Sequence, residues 1–209
     1  MIIKQEKNKK MLKVICDEKG IQKAINVIKK GGVLIFPTDT VYGIGCDPYN
    51  KEAVEKIYEI KSRENTKFLP VLVYSKDVAE QIAFFDEVSK KIADKFWPGP
   101  LTIILKIRED KLKRSLNIKD KIALRVPDHK CALALLKETK FLVGTSANIS
   151  GQASFTNPDK CSKDLKNYDL FLDGGKINSK MESTIIEIEN GKIRIIREGS
   201  LNEEELMRN

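Results

Sequence analysis

The sequence contains one histidine, four cysteines and few aromatic residues, which make up 7% of its 209 residues. The cysteines are Cys16, Cys46, Cys131 and Cys161. They form no CxxC pair, so zinc fingers and ribbons are excluded, and we expect free thiols in a reducing cytosol. No apolar run approaches the ~18–20 residues that span a bilayer. The start of the chain also lacks the apolar segment of ~7–15 residues that a secretory signal needs.

Several catalytic and nucleotide-binding signatures are missing as well. The chain has no P-loop motif, no GxGxxG and no GxSxG, so neither a P-loop nor a Rossmann dinucleotide site is indicated. A Ser-His-Asp triad would have to use His129, the single histidine. The favoured interpretation of His129 is a surface residue in the first turn of a helix.

Positive charge is what the chain has in excess. It carries 38 Lys and Arg against 30 Asp and Glu, which gives a formal net charge of +8. This excess is compatible with an anionic partner, either a nucleic acid or a nucleotide. Only seven of the cations are arginines. Because a guanidinium binds carboxylates and phosphates in a fixed geometry, each arginine is more informative than each lysine.

The composition, with 41% hydrophobic and 33% charged residues, is that of a globular protein. We predict one domain over residues 11–209, preceded by a flexible N-terminal arm over residues 1–10. Helical stripes and short apolar runs interleave without a strict alternation. The predicted class is therefore α/β (α+β), a single domain with a twisted mixed parallel/antiparallel sheet flanked by helices.

The pattern predicts individual elements as follows. Helices are predicted over 18–30, 50–61, 77–83, 87–96 and 132–138, with Asn50 and Asp128 as N-caps of the second and last. Strands are predicted over 11–16, 33–36, 69–74, 101–107, 122–126, 141–144, 183–189 and 192–197. The segments 37–45 and 145–158 are predicted as loops.

The last two strands are predicted to form a hairpin, because the dipeptide Asn190-Gly191 favours a type I′ turn. The expected cross-strand pairs are Ile188 with Ile193, Ile186 with Ile195, and Thr184 with Arg197. An arginine that ends an otherwise apolar, core-facing row must meet an anion or a cleft. Arg197 is therefore a candidate site residue.

Four segments carry unusual polar residues after a predicted strand or in a tight turn, namely 37–45, 61–63, 144–148 and 182–184. If 61–63 is locally extended, its two cations point to the same side and suit phosphate oxygens. Each segment also has a purely structural interpretation, as a turn cap, a solvated helix end or an Asx turn. For any one segment taken alone, the structural interpretation is favoured.

Taken together, the segments resemble the YrdC/TsaC family of L-threonylcarbamoyladenylate synthases. The resemblance is carried by GGVLIFPTDTVYGIGCDP (31–48), KIYEIKSR (56–63), FWPGPLTIIL (96–105), IALRVPDH (122–129), GTSANISGQAS (144–154), ESTIIEI (182–188) and IIREGS (195–200). These motifs cover nearly the whole chain, in order and with short gaps. Glu64, Lys121 and Glu198 depart from the family pattern.

The resemblance implies a nucleotidyltransferase that converts L-threonine, bicarbonate and ATP to threonylcarbamoyl-AMP and pyrophosphate. This is the first step of threonylcarbamoyladenosine modification of tRNA beside the anticodon. It also implies the YrdC-like fold with a basic concave cleft, in the short, single-domain form. Mg²⁺ is expected with ATP. The further expectations are a cytoplasmic location without membrane contact, and tRNA and the downstream threonylcarbamoyl-transferase proteins as possible partners.

Site roles are carried over from the matching motifs. The implied catalytic residues are Lys61, Arg63, Ser146 and Asn148. The implied threonine-binding residues are Thr38, Arg63, Arg125 and Ser183. The implied ATP-binding residues are Lys61, Arg63, Ser146, Asn148, Ser154 and Arg197. No metal-binding side chain is implied.

Two other functions remain open at this point. The alternative is a non-catalytic protein of the same fold that binds double-stranded RNA or tRNA, which the +8 charge would favour. Against it, the chain has no RNP motif and no aromatic stacking stripe. The third is a carbamoyl-adenylate-forming domain like that of hydrogenase-maturation carbamoyltransferases. Their acylphosphatase and zinc-finger regions are not visible in this sequence.

Overall fold

The computed structural model describes residues 11–64, 68–179 and 181–207. The predicted N-terminal arm, residues 1–10, lies outside the described residues. The helices are α1 (Glu18–Lys29), α2 (Lys51–Ile60), α3 (Lys76–Ile82), α4 (Glu87–Phe96), α5 (Asp110–Leu116), α6 (Lys130–Thr139), α7 (Pro158–Asp164) and α8 (Glu203–Met207). None of these helices is both long enough and apolar enough to cross a bilayer.

The described strands form two mixed sheets. They are β1 (Leu12–Ile15), β2 (Leu34–Pro37), β3 (Tyr42–Gly45), β4 (Val71–Val73), β5 (Leu101–Lys106), β6 (Lys121–Arg125), β7 (Phe141–Val143), β8 (Thr145–Ser146), β9 (Leu170–Asp173), β10 (Thr184–Glu189) and β11 (Lys192–Arg197). The strand orders are β1-β9-β2-β3-β8 and β11-β10-β5-β6-β4-β7. Parallel pairs such as β1–β9 and β5–β10 occur beside antiparallel ones. The predicted mixed α/β class is therefore confirmed, with two sheets in place of one.

Strand β2 is buried on both faces, which explains its uninterrupted apolar sequence. Leu34 and Phe36 pack with the inner faces of α1 and α6, whereas Ile35 points into the main core with Ile44 and Ile57. This division follows from the two-residue period of a strand. A strand covered on both sides cannot alternate apolar and polar residues, so it reads as a continuous run.

The predicted N-cap and the predicted buried face of helix α2 are both confirmed. The side chain of Asn50 accepts a hydrogen bond from the backbone nitrogen of Ala53 at 3.0 Å, as an N-cap does. Its apolar face, which includes Val54 and Ile57, is buried in the main core. This packing fixes the position of residue 61, which directly follows the last helical residue.

The predicted loop 37–45 contains a strand. Its last four residues form β3, which pairs with both β2 and β8. The two glycines of this strand suggested a turn. At Gly45, however, a Cβ atom would lie 1.9 Å from the carbonyl oxygen of Val143, so glycine allows a close approach of two backbones.

Several other elements were not predicted. Strand β8 lies in the segment 145–158 that was predicted as a loop, and α5, α7, α8 and β9 lie in segments without a predicted element. The three helices α5, α7 and α8 have seven residues or fewer, which is too short for a clear helical period.

The predicted hairpin is confirmed except at its far end. The pairs Ile188 with Ile193 and Ile186 with Ile195 are present, and Asn190 and Gly191 both have positive φ, as a type I′ turn requires. The predicted pair of Thr184 with Arg197 is wrong. An irregularity between Ile185 and Ile186 shifts the register, so Arg197 pairs with Ile185.

The expectation of four free thiols is wrong. Cys16 and Cys131 form a disulfide with a Cα–Cα distance of 6.1 Å, whereas Cys46 and Cys161 are free and buried. The two bonded residues are 115 positions apart in the sequence. They meet because α1 packs against α6, a tertiary contact that cysteine spacing alone does not reveal.

We expect reduction of this disulfide to lower the free energy of unfolding by about 2–5 kcal/mol, because a cross-link across a long loop restricts the unfolded chain. Urea unfolding with and without dithiothreitol measures the difference. Cys16→Ser is the matched control, since the reductant should leave its unfolding free energy unchanged. Identical unfolding of the native protein in both conditions would contradict the bond.

Candidate functional site

A cavity of about 340 Å³ is lined by residues of both sheets, including Gly43 of the first and Thr102 of the second. Its volume lies in the range of small-molecule sites, ~300–1,000 Å³. The charged lining residues are Lys61, Arg63, Arg125, Arg197 and Glu182. Of the other predicted site residues, Thr38, Ser146, Asn148 and Ser183 also line the cavity.

Ser154 is the one predicted site residue that is not part of the lining. Its hydroxyl instead donates a hydrogen bond to Oε1 of Glu182, which does line the cavity. The structure therefore brings the predicted residues together or, for Ser154, one contact away. Their individual roles remain predictions.

Lys61 is buried, with an exposed fraction of 1%, and holds the loop that follows β8. Its Nζ donates to the carbonyl oxygen of Ser146, and to the carbonyl oxygen and Oδ1 of Asn148 at 2.8 and 3.3 Å. An ammonium has three N–H donors, so all three are occupied. The backbone nitrogen of Ser150 donates in turn to the Lys61 carbonyl at 2.8 Å.

The environment of Lys61 weakens its proton affinity. Burial lowers the pKa of Lys61 to about 8, and the neighbouring positive charge of Arg63 acts in the same direction. Glu182 opposes both effects. Lys61 is thus a buried cation that organises one wall of the cavity through backbone carbonyls.

The predicted pair of phosphate-binding cations assumed that the segment 61–63 is extended. The structure shows that it is not. Lys61 has helical dihedrals and Ser62 has a φ of +47°, so the chain turns sharply between the two cations. Both side chains nevertheless reach the cavity. The local turn, rather than an extended strand, places them on one side.

Arg63 retains an unused donor. Its Nη2 donates to the carbonyl oxygen of Phe68 at 3.1 Å, while its Nε is buried and has no hydrogen-bond partner among the described residues. A buried donor without a partner costs free energy. Arg63 also lines the cavity, so its guanidinium is placed to contact an anionic ligand there.

Thr38 caps a turn in its loop and also lines the cavity. Its Oγ1 donates to the carbonyl oxygen of Val41 at 2.6 Å and accepts from the backbone nitrogens of Thr40 and Val41, each at 3.2 Å. These contacts form a turn cap. The residue also lines the cavity, so the structural and the ligand-binding interpretations do not exclude each other.

Arg125 is buried, with an exposed fraction of 6%, and is fixed by three partners. Its Nε donates to Gly99 O at 3.0 Å, its Nη1 to Thr40 Oγ1 at 3.0 Å and its Nη2 to Asp39 Oδ1 at 2.6 Å. Burial lowers the pKa of Arg125, and the Asp39 carboxylate opposes this effect. A guanidinium has five N–H donors, so two remain for a ligand.

Glu182 is a cavity residue that the sequence prediction missed. Its Oε2 pairs with Nη1 of Arg197, while Nη2 of the same arginine donates to the carbonyl oxygen of Ser183 at 2.7 Å. Ser183 Oγ lies 3.0 Å from Thr102 Oγ1. The sequence did contain a signal for this residue. Arg197 ends a core-facing row of its strand, so an anionic partner was expected for it, and Glu182 is that partner.

His129 is not part of the cavity lining. It is the N-cap of α6, in place of the predicted Asp128, and its Nδ1 accepts from the backbone nitrogen of Cys131 at 3.2 Å. Burial lowers its pKa, which keeps this nitrogen able to accept. Among residues 11–64, 68–179 and 181–207, no three His, Cys, Asp or Glu side chains are grouped so as to hold a metal ion.

The fold and the cavity define the class of protein. The chain is a mixed α/β protein whose small-molecule cavity is lined by four cations and one carboxylate. Such a lining suits a ligand with several negative charges and at most one positive charge.

The chain belongs to the Sua5/YciO/YrdC family, since the family model described as "Telomere recombination" matches residues 26–199. A relative from Methanocaldococcus jannaschii is 40% identical over 99% of this chain and 94% of its own length. The threonylcarbamoyl-AMP synthase of Bacillus subtilis is 33% identical over 89% of this chain, which spans only 55% of that relative. The predicted family is thus confirmed.

A solved structure supports the same assignment. The Sua5 protein of P. abyssi, complexed with L-threonine, superposes with a TM-score of 0.87 at 30% identity. The match covers 95% of this chain and 61% of that one.

We expect the side-chain amine of Lys61 to titrate near pH 8, because burial disfavours its charged form. ¹³C NMR of the lysine Cε resonances across the alkaline range measures this, and Lys61→Met identifies the signal by its loss. Lys121 is the contrasting case, since hydrogen bonds to Glu187 and Glu189 raise its pKa. A Lys61 resonance that titrates with the exposed lysines would contradict its burial.

Proposed function

We propose that this chain is an L-threonylcarbamoyladenylate synthase, which converts L-threonine, bicarbonate and ATP to threonylcarbamoyl-AMP and pyrophosphate. The observation that carries the proposal is the convergence of Lys61, Arg63, Arg125 and Arg197 on one cavity. These residues come from positions spread over the whole chain. Membership of a family that includes named threonylcarbamoyl-AMP synthases supplies the reaction.

Threonine binds on the side of Arg125, Thr38 and Ser183, and Arg63 faces it. The guanidinium of Arg125 is held in place by Asp39 and Thr40, and its two remaining donors suit the two oxygens of the threonine carboxylate. A lysine at this position would lack the planar pair of donors. The L-threonine complex of the P. abyssi Sua5 protein supports an amino-acid site in this fold.

ATP binds along the wall formed by Arg63, Ser146, Asn148 and Arg197, with Ser154 behind Glu182. The guanidinium groups of Arg63 and Arg197 both line the cavity and supply donors for phosphate oxygens. Lys61 does not bind the phosphates directly, because its three donors are used by oxygen atoms of Ser146 and Asn148. Its charge still contributes to the potential at the phosphates. Mg²⁺ enters with the phosphates as part of the substrate.

The chemistry fits a cavity without a histidine base. The threonine ammonium first loses a proton, and its nitrogen condenses with bicarbonate to give the carbamate and water. The carbamate oxygen is already an anion when it attacks the α-phosphorus of ATP, and the bond to pyrophosphate breaks as the new bond forms. The adenylation step therefore needs positioning and charge stabilisation rather than strong general-base assistance. Positioning several reactants together is worth roughly 7–11 kcal/mol of the barrier. The product supplies the modification of tRNA beside the anticodon.

The synthase is favoured over the non-catalytic RNA-binding alternative. The B. subtilis relative is named for the synthase activity, and a threonine complex exists for the P. abyssi relative. Both support an enclosed small-molecule site rather than an extended phosphate-binding surface. Binding of tRNA, and transfer of the product to the downstream threonylcarbamoyl-transferase proteins, remain predictions.

We expect Arg63→Ala to lower kcat/KM by about 100-fold or more, because it removes a donor aimed at developing negative charge. The measurement is pyrophosphate release with ATP, L-threonine and bicarbonate, each omitted in turn. Arg108→Ala is the control, since Arg108 is an exposed arginine outside the cavity. It should match the native protein.

Two outcomes would contradict the proposed function. One is pyrophosphate release that continues without threonine or without bicarbonate. The other is full activity of Arg63→Ala, which would remove the cavity cations from the reaction.

A further inference from the structure

Glu182 is the single carboxylate among the described residues that line the cavity. Asp39, which holds Arg125, is not part of the lining. The other charged lining residues are the four cations described above. A lone negative group among four positive ones has a distinct task, because the cations already provide for anionic ligands.

Glu182 is held rigidly. Its carbonyl oxygen accepts hydrogen bonds from the backbone nitrogen and hydroxyl of Ser200, at 2.9 and 3.1 Å. Gly199 packs so closely that a Cβ there would lie 2.4 Å from the same oxygen. The carboxylate is oriented by Ser154 on one oxygen and by Arg197 on the other. Such a group is preorganised for binding.

The carboxylate retains capacity for a further donor. Its side chain is 29% exposed, and two of roughly four acceptor positions are taken by Ser154 and Arg197. The exposed part belongs to a residue that lines the cavity. A ligand cation can therefore reach it without displacing either partner.

Glu182 is close in the chain to the proposed threonine-binding residues. It directly precedes Ser183, and both residues line the same cavity as Arg125. The carboxylate and ammonium groups of an α-amino acid are one carbon apart. A site that binds the carboxylate through Arg125 therefore needs its ammonium acceptor close by.

We propose that Glu182 binds the α-ammonium group of the amino-acid substrate and so selects α-amino acids over the corresponding hydroxy acids. The inference rests on the proposed function, in which threonine occupies this cavity. Apart from the Mg²⁺ that enters with the phosphates of ATP, the threonine ammonium is the one cationic group that the three substrates bring. Glu182 is the cavity residue of matching sign.

The test compares two ligands that differ in this group alone. These are L-threonine and 2,3-dihydroxybutanoate of matching configuration, in which a hydroxyl replaces the amine. Calorimetry measures both affinities, with and without an unreactive ATP analogue. We expect the native protein to prefer threonine on the order of tenfold or more, since hydrogen bonds between charged groups are worth ~1.5–3 kcal/mol.

Glu182→Gln should weaken threonine binding and reduce this preference severalfold, while Glu182→Asp should retain part of it. Glu198→Gln is the matched control, because it makes the same change at an exposed residue outside the cavity lining. It should bind both ligands as the native protein does. In kinetics the loss in Glu182→Gln should lie mainly in the KM for threonine rather than in kcat.

The outcomes separate the two hypotheses. The assignment is overturned if Glu182→Gln weakens the binding of ATP, or weakens the binding of both acids equally so that the ratio of their affinities is unchanged. Either result means that Glu182 only positions Arg197 and Ser154. Equal binding of the two acids by the native protein overturns it without any variant. If the native protein binds no threonine under either condition, the proposed function itself fails.

Discussion

The buried ammonium of Lys61 is the constraint on which one half of the cavity depends. A charge with an exposed fraction of 1% is tolerated only if its hydrogen bonds are satisfied, and here the partners are carbonyl groups of residues 146 and 148. The loop after β8 must therefore close over the end of α2. This closure places Ser146 and Asn148 along one wall with Arg63, although both lie more than 80 positions from Arg63 in the sequence.

The other two cations of the cavity belong to arginine–carboxylate pairs. Arg125 is paired with Asp39 of the loop between β2 and β3, and Arg197 with Glu182 before β10. Because each guanidinium is already oriented by its carboxylate, little reorganisation is needed when an anion arrives. The positive charges of Arg125 and Arg197 are thus fixed by the fold rather than by the ligand.

Much of this architecture could be predicted from the sequence. Continuous apolar runs marked β2 and β7, the cap at Asn50 marked α2, and Asn190-Gly191 marked the hairpin. Interactions between distant segments were not predictable in this way. The disulfide depends on the packing of α1 against α6, the bulge in β10 shifts Arg197, and Gly45 is required by a neighbouring backbone. A single sequence carries no local signal for such contacts.

The same limit explains the cavity. Motif resemblance pointed to its cations but assigned no role to Glu182, although the segment 182–184 stood out in the sequence. The contacts of Glu182 are known only from the structure. Its carboxylate orients Arg197 and Ser154, and it offsets the lowering of the pKa of Lys61. An anionic ligand beside Lys61 acts in the same direction, because negative charge favours the protonated amine. Ligand binding and proton uptake at Lys61 are therefore linked: the cavity becomes more positive as it receives negative charge.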